Sequence, residues 1–221
     1  MSEFMGTENA INLQKALLKR GAEITSNPIL SNGGRIMNIL DPDQYGWDNV
    51  RHVAENDGFV GLTMVERDKT LSRIKQEFAD DVDLPCWEAF TGTPETVLPK
   101  CADVISGFEM PHGWRVQSAT CPDNETIHAS QLLNQETGVA PTPAYYLRGD
   151  HVPSMLTCVR DALGDLAACA SATMRYHPDG PLGGWLFAGG VSVSPAHRRS
   201  GLGSFVNATL LAESHKAFNW V

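Results

Sequence analysis

The strongest constraint on the fold lies between Gly184 and Ser214. An apolar run, Trp185 to Val193, stops at Ser194-Pro195; Arg198 and Arg199 follow, then Gly201 and Gly203. Leu202, Phe205, Val206 and Leu210 then recur at helical spacing. A strand, a basic turn containing glycines and a helix in that order form an anion-binding layout. The turn exposes consecutive backbone N–H groups, and the helix N-terminus adds a partial positive charge.

The elements upstream follow from periodicity and turn residues. Trp114–Ala119 is a predicted strand, Asn124–Thr137 a helix ended by Gly138, and Pro141–Leu147 a further short segment. Met155–Arg160 and Leu166–Tyr176 read as strands joined by a hairpin through Gly164, and the turn 177–181 leads into the strand of the opening stretch. In the first half, Glu8–Arg20 reads as a helix stopped by Gly21, and Arg35–Leu40 as a strand. A helix about Trp47, Val50 and Val53, a strand Phe59–Val65 and a helix Thr70–Phe78 complete that half. Residues 84–113 hold four prolines and little periodicity, so they read as a packed connection with a domain boundary near Gly107–Gly113. Asn219-Trp220-Val221 reads as the start of another strand.

Composition narrows the functional classes. Of 221 residues, 42% are hydrophobic, enough for a buried core. No apolar run is long enough to span a bilayer, and the acidic, polar N-terminus lacks a secretory signal pattern, so no membrane role and a cytoplasmic location are expected. Five cysteines at wide spacing, without CxxC, indicate reduced thiols rather than a zinc site or disulfide framework. The acidic turn Asp80-Asp81-Val82-Asp83 lacks the ligand spacing of a calcium loop and reads as solvated. The net charge of −9 argues against nucleic-acid binding and suits a cationic partner such as an amine. P-loop, dinucleotide-binding and serine-hydrolase signatures are absent.

The opening stretch resembles the acetyl-CoA-binding motif of the GCN5-related N-acetyltransferases. That motif is Arg/Gln-x-x-Gly-x-Gly/Ala after a strand carrying Val-x-Val. Arg198-Arg199-Ser200-Gly201-Leu202-Gly203 fits it, and Val191-Ser192-Val193 precedes it. The resemblance implies an α/β fold with a mixed sheet, like an acyl-CoA N-acyltransferase. Residues 111–221 form the acetyl-CoA-binding region, and residues 1–110 an N-terminal α/β segment that completes or extends the sheet. It implies acetyl-CoA as cosubstrate, its pyrophosphate held by Arg198, Arg199, Ser200, Gly201, Leu202, Gly203 and Ser204. A bulge at Gly189-Gly190 makes room for the pantetheine arm, which pairs with the Val191–Ser192–Val193 backbone. The implied reaction is acetyl transfer to an amine, of a small molecule by expectation. The alternative is a non-catalytic protein of this fold that binds CoA or a protein partner.

The family continues beyond this helix with further strands and a helix. Three explanations stay open: a truncated form, a first half that supplies those elements, or a second chain, as in a homodimer. The segment Val53–Val60 resembles the family's later helix-Gly-Phe-strand portion. No catalytic residue is identified; His177, Asp179, Glu125, His128 and Tyr145 are loose candidates for a base.

Overall fold

The structure is a computed structural model describing residues 2–78 and 82–221, so Asp80 and Asp81 of the acidic turn lie outside the described residues. It is a mixed α/β protein of two compact units. The first comprises residues 1–12, 92–175 and 184–221, and the second residues 13–91 and 176–183. Residues 111–221 thus fall within the first unit except for the turn 176–183, which belongs to the second.

In the second unit, helix α1 (Glu8–Lys19, its first turns counted with the first unit) is followed by α2 (Gly21–Ser26). Gly21 was expected to stop α1; instead it opens α2, because Arg20 between them keeps near-helical angles (φ −87°, ψ 6°). Strands β1 (Leu30–Asn32) and β2 (Met37–Ile39) form an antiparallel pair. Asp41 caps α3 (Pro42–Tyr45) by accepting from the Gln44 N–H, with Pro42 at the first helical position. Helix α4 (Trp47–Asp57) ends at Gly58 in the left-handed region (φ +77°) and leads to β3 (Gly61–Leu62), parallel to β2. The predicted strand 59–65 survives only as those two residues. Glu66 then starts α5 (Arg67–Glu77) by accepting from two backbone N–H groups. Leu17, Leu30, Ile39, Val50 and Val53 form this unit's core.

The first unit contains one element the sequence hid. The proline-rich stretch read as a connection holds α6 (Pro94–Gly107). Pro94 sits where a helix needs no N–H, and Pro99 costs a single intrahelical bond while Cys101 is buried. Next come β4 (Arg115–Ala119), α7 (Asn124–Glu136), α8 (Ala144–Leu147), β5 (Ser154–Arg160), β6 (Leu166–Thr173) and β7 (Phe187–Val193). Asp123 caps α7 by accepting from the Thr126 N–H at 2.7 Å. A short 3₁₀ turn, Pro195–His197, leads to α9 (Leu202–Phe218). The four strands form one antiparallel sheet in the order β4-β5-β6-β7. Strands β1–β3 form their own sheet, and among the described residues the N-terminal segment adds no hydrogen-bonded strand to this one. Residues 219–221 form no strand; Asn219 caps α9 in the left-handed region (φ +49°), and the Val221 N–H donates to Gly184 O.

Side-chain alternation gives this sheet two faces. Ala168, Ala170 and Ala172 of β6 pack in one cluster with Val159, Leu202, Phe205, Val206 and Leu210. Three alanines on one strand leave room for α9 to lie close against it. Residues of opposite parity, Leu156, Cys158 and Cys169, pack with Leu133 of α7. Phe205 is also stacked on Phe108, ring centroids 4.4 Å apart. Phe205→Ala is therefore expected to lower unfolding stability by about 3–5 kcal/mol in denaturant titration.

Burial separates the cysteines. Cys86 and Cys121 are exposed, whereas Cys101, Cys158 and Cys169 are buried. Burial pushes the Cys158 thiol up to about 12 and raises Cys169 as well. Alkylation at pH 8 followed by mass spectrometry is expected to label Cys86 and Cys121 and to spare the other three until the chain unfolds.

Candidate functional site

The site is built where β7 ends and α9 begins. Ser192 pairs with Cys169, and Gly189 with Ser171. Two β6 steps therefore face three β7 steps, which leaves Gly190 and Val191 together opposite Ala170. This is a bulge, and Gly190 carries it at φ +64°. A Cβ at Gly190 would stand 3.2 Å from Ser171 Oγ, on a backbone conformation that already disfavours side chains. A bulge was expected at Gly189-Gly190; it lies one residue later, at Gly190-Val191, with Gly189 still paired to Ser171.

The bulged strand is also an edge. Among the described residues no strand pairs with the outer side of β7. The Ser194 N–H donates to Ala167 O at 2.9 Å, which makes 194 and 167 a hydrogen-bonded pair. By alternation Ser192 also turns its backbone toward β6, while Val193 and Val191 turn theirs outward. The outward side of these two valines is thus not paired with a strand, although the Val193 carbonyl accepts from Arg198 Nε at 3.3 Å. Ser192 differs: its backbone serves the sheet, and its hydroxyl is buried toward α7, donating to Asn134 Oδ1 at 2.7 Å.

Below this edge the chain makes its turn. The His197 N–H donates to Ser194 O, and Ser200 Oγ donates to His197 O at 2.7 Å. The His197 ring packs edge-on against Trp114, centroids 4.9 Å apart. Arg199 (φ +62°) and Gly201 (φ +82°) both adopt left-handed conformations. That backbone aims the start of α9 back toward β7: a Cβ at Gly203 would lie 3.4 Å from Val193 Cγ2. Gly201 is the N-cap and carries no capping side chain. The Phe205 N–H bonds Gly201 O, which leaves the N–H groups of Leu202, Gly203 and Ser204 without a carbonyl one turn earlier.

These groups border an open hollow of about 260 Å³, completed by Val193, His197, Arg198 and Arg199. No acidic side chain lines it. Arg198 and Arg199 are exposed. Arg198 Nε donates back to Val193 O at 3.3 Å, and its terminal nitrogens make no ion pair among the described residues. Leu202 contributes only backbone, because its side chain is 1% exposed and sits in the core. Unpaired N–H groups, a helix N-terminus and two uncompensated cations fit a diphosphate.

A larger hollow, about 450 Å³, lies in the second unit beside Trp47, Met64, Lys69 and Arg73. Its charges are already satisfied. Asp43 accepts from Trp47 Nε1 and pairs with Lys69, which holds its carboxyl below the usual range. Arg73 pairs with Glu77, and Asp41 and Glu66 cap helices. The smaller hollow is therefore the stronger ligand site.

The five loose candidates for a base are not brought together. Glu125 and His128 lie exposed on α7. Tyr145, on α8, is buried with its hydroxyl unpartnered, and burial pushes it up to about 12, so it stays a neutral phenol. His177 and Asp179 belong to the second unit, where His177 Nδ1 accepts from the Asp179 N–H at 3.1 Å. Among the described residues no group of three or more His, Cys, Asp or Glu is placed to hold a metal ion, and no helix is long and apolar enough to cross a membrane. The sequence reading missed Asn134 and Thr137, which stand behind Ser192. Their one signal was polarity on a helix face that also carries Ile127 and Leu133.

No protein-family model matches the chain, and no curated protein matches it in sequence. Over about half its length it is similar to two solved structures. One is a GCN5-related N-acetyltransferase from Kribbella flavida (24% identity, TM-score 0.36, 49% of this chain and 38% of that one). The other is a tandem GNAT protein from the clavulanic acid biosynthesis pathway (18% identity, TM-score 0.36, 50% of this chain and 35% of that one). The matched part thus spans little more than a third of either chain.

The turn's own conformation is testable. Gly201→Ala forces a side chain into φ +82°, with its Cβ 3.8 Å from the Phe108 ring. Thermal or chemical unfolding is expected to show a loss of about 1–2 kcal/mol, whereas Ser200→Ala, at an exposed position, should change stability by less than about 1 kcal/mol.

Proposed function

We propose that the chain binds acetyl-CoA across the β7–α9 junction and transfers the acetyl group to an amine. One observation carries this reading: a bulged, open strand edge ends at an uncapped helix N-terminus flanked by two arginines that form no ion pair among the described residues. The edge suits an extended amide-bearing chain, which pairs with Val191 and Val193 as a strand would. The turn suits the diphosphate at the other end of the same molecule. Few ligands other than a coenzyme A thioester need both at once.

The chemistry then follows from position. The amine nitrogen attacks the thioester carbonyl, a C–N bond forms and the C–S bond breaks. Coenzyme A leaves as thiolate and is protonated, while the attacking nitrogen gives up a proton to water. The chain's own contribution is orientation, with an outward N–H on β7 as donor to the developing oxyanion. The formal charge of −9 favours approach of a cationic amine from solution, and a small-molecule amine is the acceptor this reading names.

Calorimetric titration with acetyl-CoA tests the binding step. Arg198→Ala and Arg199→Ala are each expected to weaken affinity by about 10- to 100-fold, the weight of a charge-assisted hydrogen bond. The wild-type affinity should also fall as salt rises. Unchanged affinity in both variants would remove the diphosphate from this turn. Thiol release over an amine panel tests transfer, and binding without release would leave a coenzyme A binder in place of an enzyme.

A further inference from the structure

The polar cluster behind the bulge has work that the core does not explain. Ser192 is 2% exposed, yet its hydroxyl is doubly engaged. It donates to Asn134 Oδ1 at 2.7 Å and lies 2.9 Å from Thr137 Oγ1, whose single proton it shares with the carbonyls of Leu133 (2.9 Å) and Asn134 (3.1 Å). The Cys169 thiol reaches the same Asn134 oxygen at 3.6 Å. Asn134 lies in the last turn of α7, and Thr137 caps that helix. Two consecutive side-chain links therefore tie one residue of the edge strand to the end of one helix. That residue immediately follows the bulge, between the two valines whose backbones face the open edge. Apolar residues at 134, 137 and 192 together would pack there without desolvating three polar groups.

We infer that Ser192, Asn134 and Thr137 form a positioning clamp that sets the width and direction of the β7 edge for the pantetheine arm. The inference rests on the acyl-CoA reading above and deepens it. Beyond the bulge, among the described residues, β7 has a strand neighbour on one side only, so its tilt rests on ladder bonds to β6 and apolar packing against α9. The hydroxyl links add a further anchor, perpendicular to the ladder, on the face away from α9. The diphosphate turn does not use this anchor, because it is held by the Ser194–His197–Ser200 hydrogen bonds. Arm recognition and phosphate recognition are therefore separable.

Two ligands make the separation measurable: acetyl-CoA, and adenosine 3′-phosphate-5′-diphosphate, which is coenzyme A without its pantetheine arm. Ser192→Ala removes both links to the strand and Thr137→Val removes one, each with little change of volume, and Thr137→Ser keeps it. The first two variants are expected to weaken acetyl-CoA on the order of tenfold while the armless nucleotide binds as in wild type. Thr137→Ser is expected to stay near wild type for both. Amide hydrogen exchange without ligand should speed up at residues 190–193 in Ser192→Ala and stay unchanged in α9. Unchanged acetyl-CoA affinity in both disruptive variants overturns the clamp, and so does an equal loss for both ligands, which would report damage to the fold. If wild type binds neither ligand, the acyl-CoA reading itself falls. The exchange measurement then still decides whether the cluster holds β7, and unchanged exchange at 190–193 overturns it.

Discussion

One extra residue in β7 governs the geometry of the first unit. Between the Cys169–Ser192 and Ser171–Gly189 pairs, β6 advances two positions and β7 three. The mismatch cannot be relieved elsewhere, because the pairs on either side hold their faces. Val193 and Ala188 pack toward α9, and Ser192 toward α7. Slipping the register by one would bury the Ser192 hydroxyl in an alanine cluster and turn Val193 out of the core. The surplus must therefore be absorbed locally, and Gly190 is the residue that can do so at φ +64°. Kinking an edge strand there also discourages another strand from pairing along its full length, while leaving individual backbone groups available.

The two faces of the sheet then take different tasks. On one face the alanines of β6 let α9 approach closely, which brings its first turn beside Val193 and Val191. On the other face hydroxyl and amide groups gather: Ser192 with Asn134 and Thr137, and Thr173 with Tyr146 at 3.1 Å. Apolar packing is tolerant of direction. Hydrogen bonds are not, so the polar face determines orientation more sharply than the apolar one.

How much of this could be read from the chain depended on whether the signal was local. The strand–turn–helix from Trp185 to Leu210 was legible because apolar periodicity, Pro195, two arginines and two glycines fall within about thirty residues. The hairpin through Gly164 and the helix before Gly138 were legible for the same reason. Helix α6 was not, since Pro94 and Pro99 look like breakers when their positions relative to the helix start are unknown. Strand β3 shrank to two residues because strand propensity at 59–65 meets only a short partner in β2. Grouping the turn 176–183 with the second unit could not be read at all. It depends on contacts such as the Ser31–Tyr176 bridge, remote in sequence. At the site, Gly201 and Gly203 were legible as types. The inward turn of Ser192 required the β6 register, which no local pattern encodes.

The arrangement also bears on how the proposed acyl transfer would be accelerated. On the acyl-CoA reading proposed above, diphosphate and pantetheine are remote from the reacting carbonyl, and their binding free energy would fix the thioester against the β7 edge without altering its reactivity. What raises the rate is loss of rotational freedom in the bound thioester and a donor aimed where negative charge develops. Both would depend on the tilt of β7 at Val191, which the proposed clamp sets one residue later. A loosened β7 would still allow the diphosphate end to bind, since the turn is braced separately, but the carbonyl would sample many directions relative to the attacking amine. Grip and aim are thus carried by different hydrogen bonds, those of the turn at 194–200 and those of Ser192, Asn134 and Thr137. The buried hydroxyl of Ser192 is where the fold converts a one-residue mismatch into a defined direction.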